Sequence, residues 1–167
     1  METIGFIGLG NLGTAIAQNI QNAGYPMVVY DIHEGATKPL LEEGSRLAAA
    51  PDEVASLSDV TFTSLPGPRE VEDVTLGLHG VVNGIKEGGI YVDLSTSRPS
   101  LIRRIGEIFE EKSVKVLDAP VLTSPATAAD RQVVVMPSGD REVYQKLRPL
   151  FDSFADTVVY QGPLGMG

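Results

Sequence analysis

The sequence predicts an α/β fold, a doubly wound and mostly parallel sheet with helices on both faces. Three observations lead there. Short β-branched or apolar runs alternate with longer amphipathic stretches along all 167 residues, with no repeat or low-complexity segment between them. Most of those runs are bounded by Gly, Pro or Asp, the residues that end strands. The first run also passes directly into a glycine-rich turn and then an amphipathic stretch. The length allows one domain of ordinary size and a single sizeable core.

The strand candidates, in order, are Thr3 to Ile7, Met27 to Tyr30, Val60 to Leu65, Ile90 to Leu94, Val114 to Leu117, Gln132 to Met136 and Thr157 to Tyr160. Between them, Leu12, Ile16 and Ile20 with Ala15 and Ala23 recur at helical spacing. So do Leu101, Ile105, Ile108 and Phe109, and then Val143, Leu147, Leu150 and Phe151. These stripes are core. Gly24, just before Pro26, and Gly44, after Leu41-Glu42-Glu43, stand where a helix ends on a left-handed residue. A parallel sheet with right-handed crossovers, buried on both faces, is the expectation.

Composition narrows the function classes. With 43% hydrophobic and 21% charged residues, and no run approaching about 18 uninterrupted apolar residues, no membrane span is expected. The start METIGFIGLG lacks a basic region before its apolar stretch, which argues against a secretory signal and for a cytoplasmic protein. Zero cysteines exclude disulfides, a thiolate nucleophile and Cys-based metal sites, and two isolated histidines leave no metal site to expect. Redox chemistry would need a borrowed cofactor. Thirteen basic against 22 acidic side chains, with the basic ones scattered, argue against a nucleic-acid partner.

The most informative segment is Ile4-Gly5-Phe6-Ile7-Gly8-Leu9-Gly10-Asn11-Leu12-Gly13, a buried-strand pattern running into GxGxxG and a helix. Gly8 permits the tight turn, Gly10 lets a pyrophosphate approach the backbone, and Gly13 lets helix and strand pack closely. Free N–H groups at the positive end of the helix would meet the phosphates. The second strand ends in Asp31, 18 residues beyond Gly13, which suits a carboxylate accepting from the adenosine ribose hydroxyls. The same carboxylate repels a 2′-phosphate, so NAD is expected over NADP, with Ile32 and His33 beside it. This is the pattern of a Rossmann-type domain.

Two further strand-to-helix junctions open on the same side. Ser64-Leu65-Pro66-Gly67-Pro68 forms an extended turn that can wall the cofactor, ahead of a helix over Arg69 to Val74. Ser95-Thr96-Ser97-Arg98-Pro99 brings hydroxyls toward the nicotinamide or a substrate, with Ser97 the expected N-cap of the next helix. Asp118 reads as an acceptor of local backbone hydrogen bonds. His33, His79 and the lysines at 38, 86, 112, 115 and 146 read as surface residues.

Over nearly its whole length the chain resembles the N-terminal cofactor domain of the β-hydroxyacid dehydrogenases, which include 3-hydroxyisobutyrate dehydrogenase, tartronate semialdehyde reductase and 6-phosphogluconate dehydrogenase. GFIGLGNLGTAIAQNI resembles the cofactor signature, Leu65-Pro66 the cofactor loop, and Val92-Asp93-Leu94-Ser95-Thr96 the segment beside the nicotinamide. DAPVLTSPATAADRQVVVMPSGD and the closing Gly162-Pro163-Leu164-Gly165-Met166-Gly167 resemble the substrate segment and the interdomain junction.

The resemblance implies a hydride-transferring oxidoreductase, a homo-oligomer when full length, binding cofactor through Gly8 to Gly13, Asp31, Ile32, His33, Ser64, Leu65, Pro66 and Thr96. It implies substrate contacts at Ser95, Thr96, Leu122, Thr123 and Ser124. The family's Ser-Gly-Gly, which holds a substrate carboxylate, is here Leu122-Thr123-Ser124 followed by Pro125. The family's general acid–base, a lysine beyond the glycine-rich junction, has no counterpart in the chain and is expected beyond Gly167. Residues 1–163 are expected to form the cofactor domain and 164–167 to begin a linker to an all-helical domain. Two other functions stay open: a non-catalytic NAD(P)-binding sensor or scaffold, and an imine reductase-like enzyme.

Overall fold

The computed structural model describes residues 1–167, the side chain of Pro125 excepted. It begins β1 (Ile4–Ile7), α1 (Asn11–Asn22), β2 (Met27–Tyr30), a 3-10 turn (Glu34–Thr37), α2 (Lys38–Glu42) and β3 (Arg46–Leu47). The middle comprises α3 (Pro51–Ser56), β4 (Val60–Thr63), α4 (Pro68–Leu76), a second 3-10 turn (Val81–Asn83), β5 (Ile90–Asp93), α5 (Pro99–Glu110) and β6 (Lys115–Asp118). The chain closes with β7 (Val121–Leu122), α6 (Pro125–Ala128), β8 (Val134–Val135), β9 (Ser138–Gly139), α7 (Arg141–Phe154) and β10 (Thr157–Val158).

Seven strands form the main sheet in the order β3-β2-β1-β4-β5-β6-β9. All its pairs are parallel except β6 with β9. Both faces are covered. On one, Ile4, Phe6, Phe62, Val92 and Leu117 pack against Ile16 and Ile20 of α1 and Leu147, Leu150, Phe151 and Phe154 of α7. Phe62 meets Phe151 and Phe154 edge-on, at centroid distances of 6.4 and 6.2 Å. On the other, Ile7, Val28, Tyr91 and Val116 pack against Val54 of α3, Val71 of α4 and Ile102, Ile105 and Phe109 of α5. The α/β, doubly wound, mostly parallel architecture is thus observed. No helix among the described residues is long and apolar enough to cross a membrane.

Several local expectations change. Gln132 to Met136 and Thr157 to Tyr160 contribute only the short strands β8 and β10, which join β7 in a separate three-stranded sheet. Pro137 has no N–H with which to extend the β8 ladder, so the chain turns and re-pairs at β9. The two-residue strands β3, β7 and β9 carry no periodic signal and arise from pairing alone. Ala23 is exposed at the end of α1, where Gly24 takes the expected left-handed turn (φ +97°). Ser97 is not the N-cap of α5: Pro99 forces the residue before it into an extended conformation, so Arg98 takes that place. The hydroxyl of Ser97 is buried with no partner among the described residues.

Candidate cofactor site at the carboxyl edge of the sheet

The strand order reverses between β1 and β4, and ligands of such sheets bind beyond the strand ends at that point. Gly8 follows β1 with φ +96°, and a methyl group there would collide with the carbonyl oxygen of Ser64, just beyond β4. Gly13 sits so close to the Gly8 carbonyl that it too admits no side chain. Gly10 differs, because a methyl group there would meet no atom within 4 Å. Two glycines therefore close the turn, and the middle one leaves open space above it.

That space faces the start of α1. No side chain caps this helix and no acidic residue lies in its first turn. Thr14 N–H donates to the Gly10 carbonyl at 2.8 Å, so the N–H groups before it remain at the positive end of the helix. The donors and the open space fit the phosphates of a dinucleotide.

Asp31 joins this turn directly. Leu9 N–H donates to its Oδ2 at 2.6 Å and His33 N–H to its Oδ1 at 2.8 Å. The carboxylate beyond β2 is thereby fixed beside the glycine turn. Next to it Ile32 is 81% exposed and His33 is exposed.

Beyond β4 and β5 the two remaining loops are tied together. Leu65 N–H donates to Ser95 Oγ at 2.9 Å, and Ser95 N–H to Asp93 Oδ1 at 3.0 Å. Leu65 leans on the second core, Pro66 and Thr96 are exposed, and Ser95 is buried with its hydroxyl accepting internally.

Behind this pair lies a buried polar chain that the sequence reading missed. Thr75 donates to the Tyr91 hydroxyl (3.1 Å), Tyr91 to Thr63 Oγ1 (2.7 Å), and Thr63 to Asp93 Oδ1 (2.9 Å). Only this direction gives every hydroxyl one donated proton while the carboxylate accepts. The available signal was polar residues at positions 61, 63, 91 and 93 of strands that should be apolar on both faces. Burial pushes the Asp93 carboxyl up, against the pull of its Ser95 and Thr63 hydrogen bonds. Burial and the Asp93 charge likewise raise the Tyr91 hydroxyl, which keeps it a donor. Asp118 stands opposite Asp93 across the β5–β6 pair, and burial followed by the Asp93 charge raises it to about 6. Among the described residues no local backbone group donates to its carboxyl; the nearby Ser138 hydroxyl and Gly167 backbone favour its charged form and limit the rise. The pairing of β9 with β6 brings Ser138 there.

The other expected substrate positions are organised differently. Leu122 is 67% exposed on β7. Thr123 donates to the Gln132 carbonyl at 2.7 Å, and Ser124 forms a reciprocal cap with Thr127 at the start of α6. α6 itself lies along the flank of α1, where the Asn19 side chain donates to Ala128 O at 2.9 Å. The closing segment also packs on the domain: Leu164 joins the second core, and the N–H groups of Met166 and Gly167 donate to Ser138 Oγ at 3.2 and 3.1 Å.

A parallel sheet reversing at β1 and β4, an uncapped helix after a glycine turn, and an acid beyond β2 define a dinucleotide-binding domain of the Rossmann type. The comparisons then place it: the chain belongs to the family of the NAD-binding domain of 6-phosphogluconate dehydrogenase, whose model matches residues 3–162. It is 34% identical over 166 residues to the uncharacterized oxidoreductase YkwC of Bacillus subtilis, covering 99% of this chain and 58% of that protein. To mouse mitochondrial 3-hydroxyisobutyrate dehydrogenase it is 32% identical over 164 residues, covering 98% of this chain and 49% of the enzyme. Psf3, solved in complex with NADP+ and 2-OPP, superimposes with a TM-score of 0.91 at 27% identity, covering 97% of this chain and 57% of that one. The chain thus spans about half the length of the curated relatives it matches.

Proposed function

We propose that this chain is the cofactor domain of an NAD-dependent dehydrogenase or reductase acting on a small hydroxyacid or related carbonyl compound. The observation that carries the reading is the bond from Leu9 N–H to Asp31, which sets a carboxylate beside an uncapped helix start. In this reading the segment Gly8 to Gly13 holds the pyrophosphate, mainly through the amides of Asn11 and Leu12. Each Asp31 oxygen keeps acceptor capacity for a ribose hydroxyl, with Ile32 and His33 alongside. A 2′-phosphate would meet the same negative charge, so NAD is preferred over NADP. Ser64, Leu65 and Pro66 border the cofactor, and Thr96 helps place the nicotinamide or the substrate. When bound, the nicotinamide supplies the hydride transfer.

The rest of the reading rests on the family resemblance. Residues 1–163 serve as the cofactor domain, and 164–167 lead toward a helical domain whose lysine moves the proton. On this reading the 167-residue chain binds cofactor without turnover. Calorimetric titration with NADH and NADPH, on this chain and on Asp31→Ala, tests it. Tighter NADH than NADPH binding, with the gap narrowed in the variant, is the expected result. Folded protein that binds neither overturns it.

One observation favours a second reading, a non-catalytic NAD(P)-binding sensor or scaffold. Leu122 offers no hydrogen bond, and the hydroxyls of Thr123 and Ser124 are committed locally. Turnover of a hydroxyacid by the longer protein decides for the enzyme; tight NADH binding with no turnover of hydroxyacids or imines decides for the sensor.

A further inference from the structure

Asp93 is fully buried, yet only one of its two oxygens is satisfied: Oδ2 has no hydrogen-bond partner among the described residues. A second buried carboxyl, Asp118, stands opposite it in the neighbouring strand. Burying a carboxyl with an unpartnered oxygen is costly, and the sheet's own ladder does not need it. The main chain already continues regularly there, with Leu94 N–H donating to Thr63 O and Ala119 N–H to Asp93 O, both at 2.8 Å. What the carboxyl adds lies at the ligand end. Its Oδ1 accepts from Ser95 N–H, which turns the chain at the end of β5 and leaves Thr96 exposed. Ser95 Oγ in turn accepts from Leu65 N–H, which ties the loop beyond β4 to the loop beyond β5. Behind it, the chain of hydroxyls from Thr75 through Tyr91 to Thr63 holds the carboxyl in one orientation.

We propose that Asp93 is a positioning residue for the nicotinamide half of the cofactor, acting through Ser95 on the Leu65–Pro66 and Thr96 loops. It touches neither cofactor nor substrate. The assignment rests on the NAD-binding reading and deepens it, by separating the groups that hold the adenosine half, the glycine turn and Asp31, from those that seat the other half.

The test compares NADH with ADP, which carries only the adenosine and pyrophosphate part. Affinities for both are measured calorimetrically on the whole chain and on Asp93→Ala, Asp93→Asn and Ser95→Ala, with the fluorescence of bound NADH as a second readout. Ser95→Ala and Asp93→Ala are expected to weaken NADH about tenfold, the loss of one buried hydrogen bond, while ADP affinity stays within about twofold. Asp93→Asn restores NADH binding, since an amide oxygen accepts from the same two donors. Because Asp93→Ala also removes an interior group, Ser95→Ala supplies a measurement without ligand: hydrogen exchange at the Leu65 amide speeds up. Parallel loss of NADH and ADP, an unchanged Leu65 amide, or Asp93→Asn as impaired as Asp93→Ala overturns the proposal. If the unsubstituted chain binds ADP and not NADH, the positioning role falls while the glycine-turn reading stands; if it binds neither, both fall.

Discussion

The turn from β1 into α1 and the segment from Val121 to Ser124 both precede a helix, and they treat its first N–H groups in opposite ways. At α1 the cap is a glycine with no side chain, the first turn has no acid, and the space above is open. At α6, Ser124 accepts from Thr127 N–H while Thr127 reaches back to the Ser124 backbone, and Thr123 is held by Gln132 O. The first helix start keeps its donors for a ligand. The second consumes them in its own structure. Polar residues in a loop are therefore poor evidence of binding until their hydrogen bonds are traced.

The largest effect that tests this contrast lies within the glycine turn. Gly8→Ala and Gly13→Ala each force a side chain into backbone, and each should cost about 3 kcal/mol or more in denaturant unfolding. Gly10→Ala, at φ −65° and with nothing nearby, should leave stability within about 0.5 kcal/mol and still impair NADH binding. Equal destabilisation by all three would erase the distinction between turn-closing and ligand-facing glycines.

Asp118, at the end of the strand leading to the second segment, supplies a pH test. Its folded pKa of about 6 lies above the ordinary 3.8, so the folded state binds this proton more tightly than the unfolded chain does. Its contribution to stability is therefore greatest below about pH 4 and declines as the pH rises through 6. The loss is on the order of 3 kcal/mol. Asp118→Asn should flatten the fall in melting temperature between about pH 4 and 6; an unchanged slope would deny the raised pKa.

Smaller effects sharpen the comparison. Asp31→Ala should weaken NADH about tenfold and lower stability by about 1 kcal/mol, because Leu9 N–H loses its acceptor. Calorimetry and thermal melting read the two separately. Ser124→Ala should cost about 1 kcal/mol through the lost cap, with NADH affinity unchanged. A drop in affinity there would place this segment at the cofactor site.

Much of the fold was legible because its signals are local. The apolar runs beginning at Thr3, Met27, Val60, Ile90 and Val114 became the parallel strands, and the stripes of α1, α5 and α7 became the two cores. The glycine turn and Asp31 were legible for the same reason: their spacing encodes a turn and a strand end that need no distant partner. The small sheet was not, since β7, β8 and β10 are two residues each and exist only because they meet. Nor was the role of Ser95, whose hydroxyl is defined by Leu65, 30 positions away in the chain.

By itself, then, the sequence determined the alternating architecture, the glycine turn and the acid beside it, because periodicity, φ restrictions and charge act within a few residues. Only the tertiary structure decided which polar groups stay free. Asp93, Thr63, Tyr91 and Thr75 become a buried network, and Thr123 and Ser124 a closed cap, through partners brought together by folding. A hydrogen bond depends on distance in space, and separation along the chain does not reveal it.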